Sequence, residues 1–377
     1  MSSIVLNIGE PMPIPEKLGL PEFKRRLVAG SFPEFSGLAA ALKGLQFVQA
    51  DPIRSPARAQ DLMLRQRVAG YQVGELEWRF PDLEAEEGFL FAYGFMRPEI
   101  WRDLRWRPRA TALTKLEREV LAVVGELGEV HPRGLVEKFG RRTVKNYWGG
   151  KSQATKRILE DLHHHGFLRV SRREKGVRVY QVPDDADEEE TDPVRRYARL
   201  ALTTARVFGP TSKRFLISEL AGLRHLIPKR GEREKAVDDL VASGQLAELA
   251  VEGITYLWIP DQWQQGEVTE RARLLAPFDP LVRNRQRFEQ VWGWPYRFEA
   301  YLPAARRERG YYAMPVLWRD EVIGWANAKV EGKRLTVEMG YVDKRPRAKA
   351  FRLAIEAEVE AMTTFLGLES GAWELKG

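Results

Sequence analysis

EDLHHHGFLRVSRREKGVRVYQVP, residues 160–183, and DDLVASGQLAELAVEGITYLWIP, residues 238–260, are two versions of one pattern. Asp161-Leu162 falls on Asp239-Leu240, Gly166 on Gly244 and Leu168 on Leu246; deleting one turn residue then brings Gly176 onto Gly253 and Pro183 onto Pro260. Each copy reads as the end of an amphipathic helix, a glycine that closes it, an alternating strand, a charged turn containing Gly, and a second strand. A helix followed by a two-stranded hairpin is the order of a winged helix, so the spacing predicts two of them in tandem. In the first copy Ser152 is placed to cap the helix, and Ile158, Leu159 and Leu162 lie at helical spacing. Lys151, Lys156 and Arg157 decorate that helix, Trp148 precedes it, and Arg172, Arg173 and Lys175 load its wing; the second copy carries Asp238, Asp239, Glu248 and Glu252 instead. The first is expected to meet phosphates and the second to act as scaffold.

A degenerate third copy precedes both. In SGLAAALKGLQFVQADP (36–52) a small helix ends near Gly44 and Leu45 to Gln49 alternates as a short strand, which puts Gln49 and Asp51 at its exit. Beyond residue 270 the pattern changes: YYAMPVLW, EVIGWANAKV and KRLTVEMGYV are strand-length runs split by Asp, Glu or Gly turns, and AKAFRLAIEAEVEAMTTFLG follows as a helix. The expected fold is α+β. Four units are expected: a winged-helix-like unit with the Gln49/Asp51 pair (1–110), a basic winged helix (111–184), a scaffold winged helix (193–262) and a β-rich, barrel-like unit with a terminal helix (270–377).

The chain has 377 residues, 30% charged and 44% hydrophobic, with no apolar run near the roughly 18 residues a membrane span needs. The N-terminus lacks a basic stretch followed by an apolar core, so a cytoplasmic setting is the expectation. Cysteine is absent, which removes disulfides, thiolate chemistry and Cys-ligated zinc. Net charge is +7, yet DDADEEETD (184–192) holds seven acidic and no basic residues, so the remainder carries +14. A basic body on an acidic tether suits a polyanion, because Lys and Arg that neutralise phosphates release counterions.

An amide and a carboxylate one residue apart admit two readings. Asp51 followed by Pro52 could cap a helix with Pro at its first position. Alternatively the pair faces DNA carried by the surrounding Arg54, Arg58, Arg65 and Arg67. Other candidates are weaker. Adjacent His163, His164 and His165 point about 100° apart on a helix and cannot share an ion. GGK (149–151) lacks phosphate-loop spacing. Trp101, Arg102, Arg105, Trp106, Arg107 and Arg109 could grip a backbone or anchor a core, and PDLEAEE (81–87) has no partners that would make it a nuclease site.

GLQFVQADPIRSPARAQDLMLRQRVAGY (44–71), WRDLRWR (101–107), YWGGKSQATKRILEDLHHHGFL (147–168) and LLAPFDPLVRNRQRFEQVWGWPYRFEAYLPAARRERGYYAMPVLW (274–318) together resemble the AlkZ/YcaQ-like winged-helix DNA glycosylases over roughly residues 20–365. The resemblance implies tandem winged helices and a terminal β-rich unit around a DNA-binding concavity. It also implies excision of alkylated purines, crosslinked ones included, with Gln49 and Asp51 on the family's Gln-x-Asp version of the catalytic motif. Two departures stand out: the middle residue is the small Ala50, and FLFAYGFMRPE (89–99) occupies the place of a His-containing segment.

The chemistry fits that implication. A purine alkylated at N7 or N3 is cationic and leaves without being protonated, so what needs stabilising is the sugar oxocarbenium ion, best served by a carboxylate. Asp51 is the residue for that charge and for deprotonating the attacking water, with Gln49 to position the water. The expected activity is a monofunctional glycosylase that leaves an abasic site, with no metal, cofactor or Schiff-base lysine required. Double-stranded DNA with alkylated purines is the expected partner, and a monomer the expected state. The rival is a winged-helix regulator that binds DNA and in which Asp51 only caps a helix.

Overall fold

The computed structural model describes residues 17–140, 143–145, 151–184, 190–262 and 268–377, the side chains of 143–145 and 151–153 excepted. The chain is mixed α and β, with several small sheets joined to one larger one. Among the described residues no helix is long and apolar enough to cross a membrane.

Each copy of the repeated pattern is a helix followed by an antiparallel hairpin. In the first copy, helix Ala154–His164 leads into strands Arg169–Glu174 and Val177–Gln181, paired antiparallel; in the second, helix Arg230–Ala242 leads into Ala247–Val251 and Ile254–Trp258. Gly166 and Gly244 both take positive φ after their helices (83° and 74°), as do the turn glycines Gly176 and Gly253 (81° each). These are the left-handed positions where a side chain is strained, which is why the four glycines align. Two further helices, Lys115–Leu127 and Pro132–Phe139, stand before the first copy, and strand Glu129–Val130 joins its sheet. The first of these opens with a capping box: Thr114 accepts from the Glu117 amide and Glu117 accepts from the Thr114 amide.

Three expectations need revision. Ser152 does not cap the helix: it lies in strand Lys151–Gln153, opposite Val144, and the helix begins two residues later. Strand Lys17–Leu18 pairs parallel with Ala247–Val251, so the sheet of the second copy draws on residues from near the N-terminus. The third revision concerns the terminal unit, whose five strands run Ala272–Leu274, Met314–Trp318, Glu321–Glu331, Arg334–Tyr341 and Trp373–Lys376 in sheet order as in sequence. Its first and last strands are edges, so among the described residues it is an open sheet and not a barrel. The helix Lys349–Phe365 explains this. Its buried Phe351, Ile355, Val359 and Met362 cover one face of the sheet, with Trp318 edge-on to Phe351 at 5.3 Å, so the sheet need not curl on itself to bury that face. The acidic segment 184–192 falls mostly outside the described residues; of its end, Asp192 caps helix Pro193–Phe208 and Glu190 faces Arg199 at 3.4 Å.

The stretch 81–87 acquires its meaning here. Glu86 and Glu87 start the hairpin Glu86–Phe89/Tyr93–Met96, and the wing of the basic copy docks on them. Arg173 grips Glu87 with two bonds of 2.6 Å, Arg169 bonds Glu86, and Arg178 lies 4.0 Å over the Tyr93 ring. Glu87 is fully buried; burial raises its pKa, but Arg173, Arg178 and the Tyr93 hydroxyl outweigh that and hold it below the ordinary value. Buried charges survive when paired and hydrogen-bonded. These carboxylates are structural.

Candidate active site

Gln49 ends the strand Phe47–Gln49, which pairs with Tyr93–Met96; Gln49 sits opposite Gly94, where an added Cβ would lie 2.5 Å from the Val48 carbonyl and the Phe47 ring. The Ala50 amide continues the pairing to the Tyr93 carbonyl at 2.9 Å, and the chain then leaves the sheet. No helix starts at Pro52. The next one spans Ala59–Leu64, so Asp51 caps nothing; its Oδ1 instead accepts the Ile53 amide at 2.9 Å in a tight local turn. The Asp51 amide is fixed by Gln60 Oε1 at 3.2 Å, and Gln60 in turn donates to Glu77, the ion-pair partner of Arg58.

Both side chains are at the edge of burial, each 9% exposed. Oδ2 of Asp51 has no hydrogen-bond partner among the described residues. Burial raises the Asp51 pKa above the ordinary carboxylate value, and the Ile53 N–H only partly offsets it. Gln49 is oriented from 234 residues away: Arg283 Nη1 donates to its Oε1 at 3.0 Å while Nε and Nη2 hold Glu219 at 3.1 and 2.7 Å. The Arg283 guanidinium also lies over Phe91, 5.1 Å from the ring centroid, and Phe91 packs on Phe47 and Phe208. The 89–99 segment thus supplies, through Phe91, the floor under the residue that holds the amide. With Oε1 taken, the Gln49 NH₂ is the half of the amide left to donate.

The terminal unit carries two tyrosines within reach of the Asp51 charge. Tyr312 is 1% exposed, and its hydroxyl is enclosed without a partner among the described residues. Burial, with the negative charge of Asp51 next, keeps this phenol protonated far above the ordinary range, and the same two causes in the same order raise Tyr301. The segment 277–287 is the joint: Asp279 pairs with buried Arg67 and caps helix Pro280–Arg283, whose last residue holds Gln49.

The basic residues divide. Arg54, Lys156, Arg157 and Lys175 are exposed, and Arg172 is 40% exposed and paired with Glu129 and Glu174. Arg58 is half-buried on Glu77, close enough to feel Arg54 and Arg173, with the wing turn at Gly176 beside it. Arg65 and Arg173 are not free for phosphates: Arg65 is 5% exposed and pairs with Glu358, and Arg173 is taken by Glu87. Arg67 is likewise locked on Asp279. Trp148 and the Lys151 side chain lie outside the described residues. Trp101 is buried, Trp106 is 43% exposed, and the Arg105 guanidinium lies over both rings. Of the histidines, buried His163 bonds the Glu87 carbonyl at 2.9 Å and its pKa falls to about 4, burial being the main cause. Sequence reading missed Arg283, Phe91, Tyr301 and Tyr312; only their place in the 274–318 and 89–99 stretches hinted at them.

Residues 42–365 match the family model described as DNA glycosylase AlkZ-like. Among solved structures, the Streptomyces sahachiroi DNA glycosylase AlkZ has the same fold, with a TM-score of 0.63 at 16% identity over 94% of this chain and 98% of that one.

Proposed function

The chain belongs to the AlkZ-like family of DNA glycosylases, and from that premise we propose that this DNA-binding repair enzyme hydrolyses the N-glycosidic bond of purines made cationic by alkylation at N7 or N3, interstrand crosslinks included. The observation that carries the reading is the Asp51 carboxylate, with one oxygen unpartnered at the edge of burial, beside an amide whose orientation Arg283 sets.

As the cationic purine departs, positive charge grows on the sugar, and the Asp51 oxygen meets it in a partly desolvated place where such an interaction is strong. Asp51 then takes a proton from the attacking water, which the Gln49 NH₂ holds by an oxygen lone pair. The purine carries its own charge, so no residue has to protonate it. Water as nucleophile makes the enzyme monofunctional, and the product is an abasic site.

The arrangement of two winged helices in tandem, with the degenerate unit before them, is the proposed cradle for duplex DNA. Its support is the helix-hairpin order of residues 154–181 and 230–258 and the exposed Arg54, Lys156, Arg157 and Lys175. The regulator reading loses its footing because Asp51 caps no helix. Incubation with a duplex containing N7-methylguanine is expected to release the free base and leave alkali-cleavable sites. Absence of release above an Asp51→Asn control would remove the proposal.

A further inference from the structure

Tyr301 and Leu302 project from the terminal unit into solvent, 71% and 40% exposed, with Tyr311 beside them at 44%. Apolar side chains this exposed are ordinary when scattered, but these three are gathered on one loop next to basic residues. That loop is rigidly built. Glu299, 3% exposed, accepts the Arg309 and Gly310 amides at 2.9 and 3.3 Å, and Asn327 bonds the Arg309 carbonyl at 2.6 Å. Arg307 donates to the Leu302 carbonyl at 2.9 Å and lies over the Tyr311 ring at 5.0 Å. Gly310 has φ 117°, and a Cβ there would meet the Asn327 side chain at 2.4 Å, so the turn admits glycine alone. Tyr301 leans edge-on against Phe298, which in turn packs on Tyr312. A loop held this firmly presents its apolar tip at a fixed place and loses little entropy when the tip is covered.

We propose that Tyr301 and Leu302 form a wedge that enters the base stack of duplex DNA beside the nucleotide whose sugar faces Asp51. The occupant follows from the chemistry present. The substrate is DNA, whose bases offer flat apolar faces to an aromatic ring, and the neighbouring exposed Arg306 suits a phosphate flanking an opened step. Tyr301 rests on Phe298, whose ring lies 5.0 Å from that of Phe278, next to Asp279 and the helix whose Arg283 holds Gln49, so the tip is anchored to the segment that builds the site. Opening the stack at that step would bring the sugar of the damaged purine toward the carboxylate.

The proposal rests on Asp51 marking the reacting nucleotide, and its test reads DNA stacking independently of base release. Full-length protein is titrated into duplexes carrying 2-aminopurine next to a tetrahydrofuran abasic analogue. Wild type and Tyr301→Phe are expected to raise the emission. The double variant Tyr301→Ala, Leu302→Ala should leave it unchanged and bind roughly 5- to 150-fold more weakly, the range that loss of stacking on an aromatic ring covers. Unchanged emission with wild type, an unstacking double variant, or loss of the signal in Tyr301→Phe would each overturn the wedge. Release of N7-methylguanine by wild type alongside any of those results would leave the glycosylase reading standing, and unstacking without release would do the reverse.

Discussion

Asp51→Asn is expected to slow excision of N7-methylguanine by roughly 10²- to 10³-fold, the loss typical of removing one preorganised electrostatic group from a reaction centre. The fold should not suffer. Asparagine keeps an oxygen to accept the Ile53 amide, so the turn that sets the side chain survives. The sign of the stability change follows from linkage. Burial raises the folded-state pKa of Asp51, so between the unfolded and folded values the native state binds the extra proton, and stability falls as pH rises through that window. A neutral amide removes this cost, and the variant should melt at or above the wild-type temperature near neutral pH. Single-turnover excision and thermal melting on the same preparation check both halves. A folded variant excising at the wild-type rate would deny Asp51 its role, and one that melts well below the wild type would contradict the account of its turn and its burial.

The second large effect lies at the joint between the units. Asp279→Ala should destabilise the protein by about 3–5 kcal/mol, because the Arg67 guanidinium, 2% exposed, would be left without its countercharge. The same change removes the Asp279 cap on the Leu281 amide, a contribution of about 1 kcal/mol. Arg67 also donates to the Ser31 and Met63 carbonyls, so its charge cannot simply turn to water. The helix that Asp279 caps ends in Arg283, so activity should fall with stability as Gln49 loses its anchor. Urea unfolding of Asp279→Ala beside Asp279→Asn, which keeps the cap, separates the charge from the cap. A loss under about 1 kcal/mol in the alanine variant would show that the pair contributes little beyond a surface salt bridge.

Much of the local structure is legible in the sequence, because glycines at left-handed positions and period-two apolar runs are local signals. The helix-hairpin repeat and the strand that ends at Gln49 could both be read this way. What could not be read is pairing between distant residues. Arg173 looks from its neighbours like a phosphate contact, yet it meets Glu87, 86 positions earlier, and Arg65 meets Glu358 across 293. A run of arginines gives its charge but not which of them a distant carboxylate will claim. The same limit hid Arg283 behind Gln49. The Asp51-Pro52 dipeptide is a genuine helix-start signal that tertiary context overrode: Ala50 is tied to Tyr93 and Asp51 to Gln60, which carries the chain through a loop before helix Ala59–Leu64 can begin. The open terminal sheet escapes sequence reading for a related reason, since runs of strand pattern do not reveal that a following helix covers one face.

The claim on which the rest depends is that the ionised form of Asp51 performs the reaction. The single-turnover rate of N7-methylguanine excision against pH, over the range in which the protein stays folded, tests it directly. The rate should climb with the ionised fraction of one group titrating above the ordinary carboxylate value and then level off, while the residual rate of Asp51→Asn should show no such inflection. A wild-type rate independent of pH across that range, or the same inflection in the asparagine variant, would contradict the account.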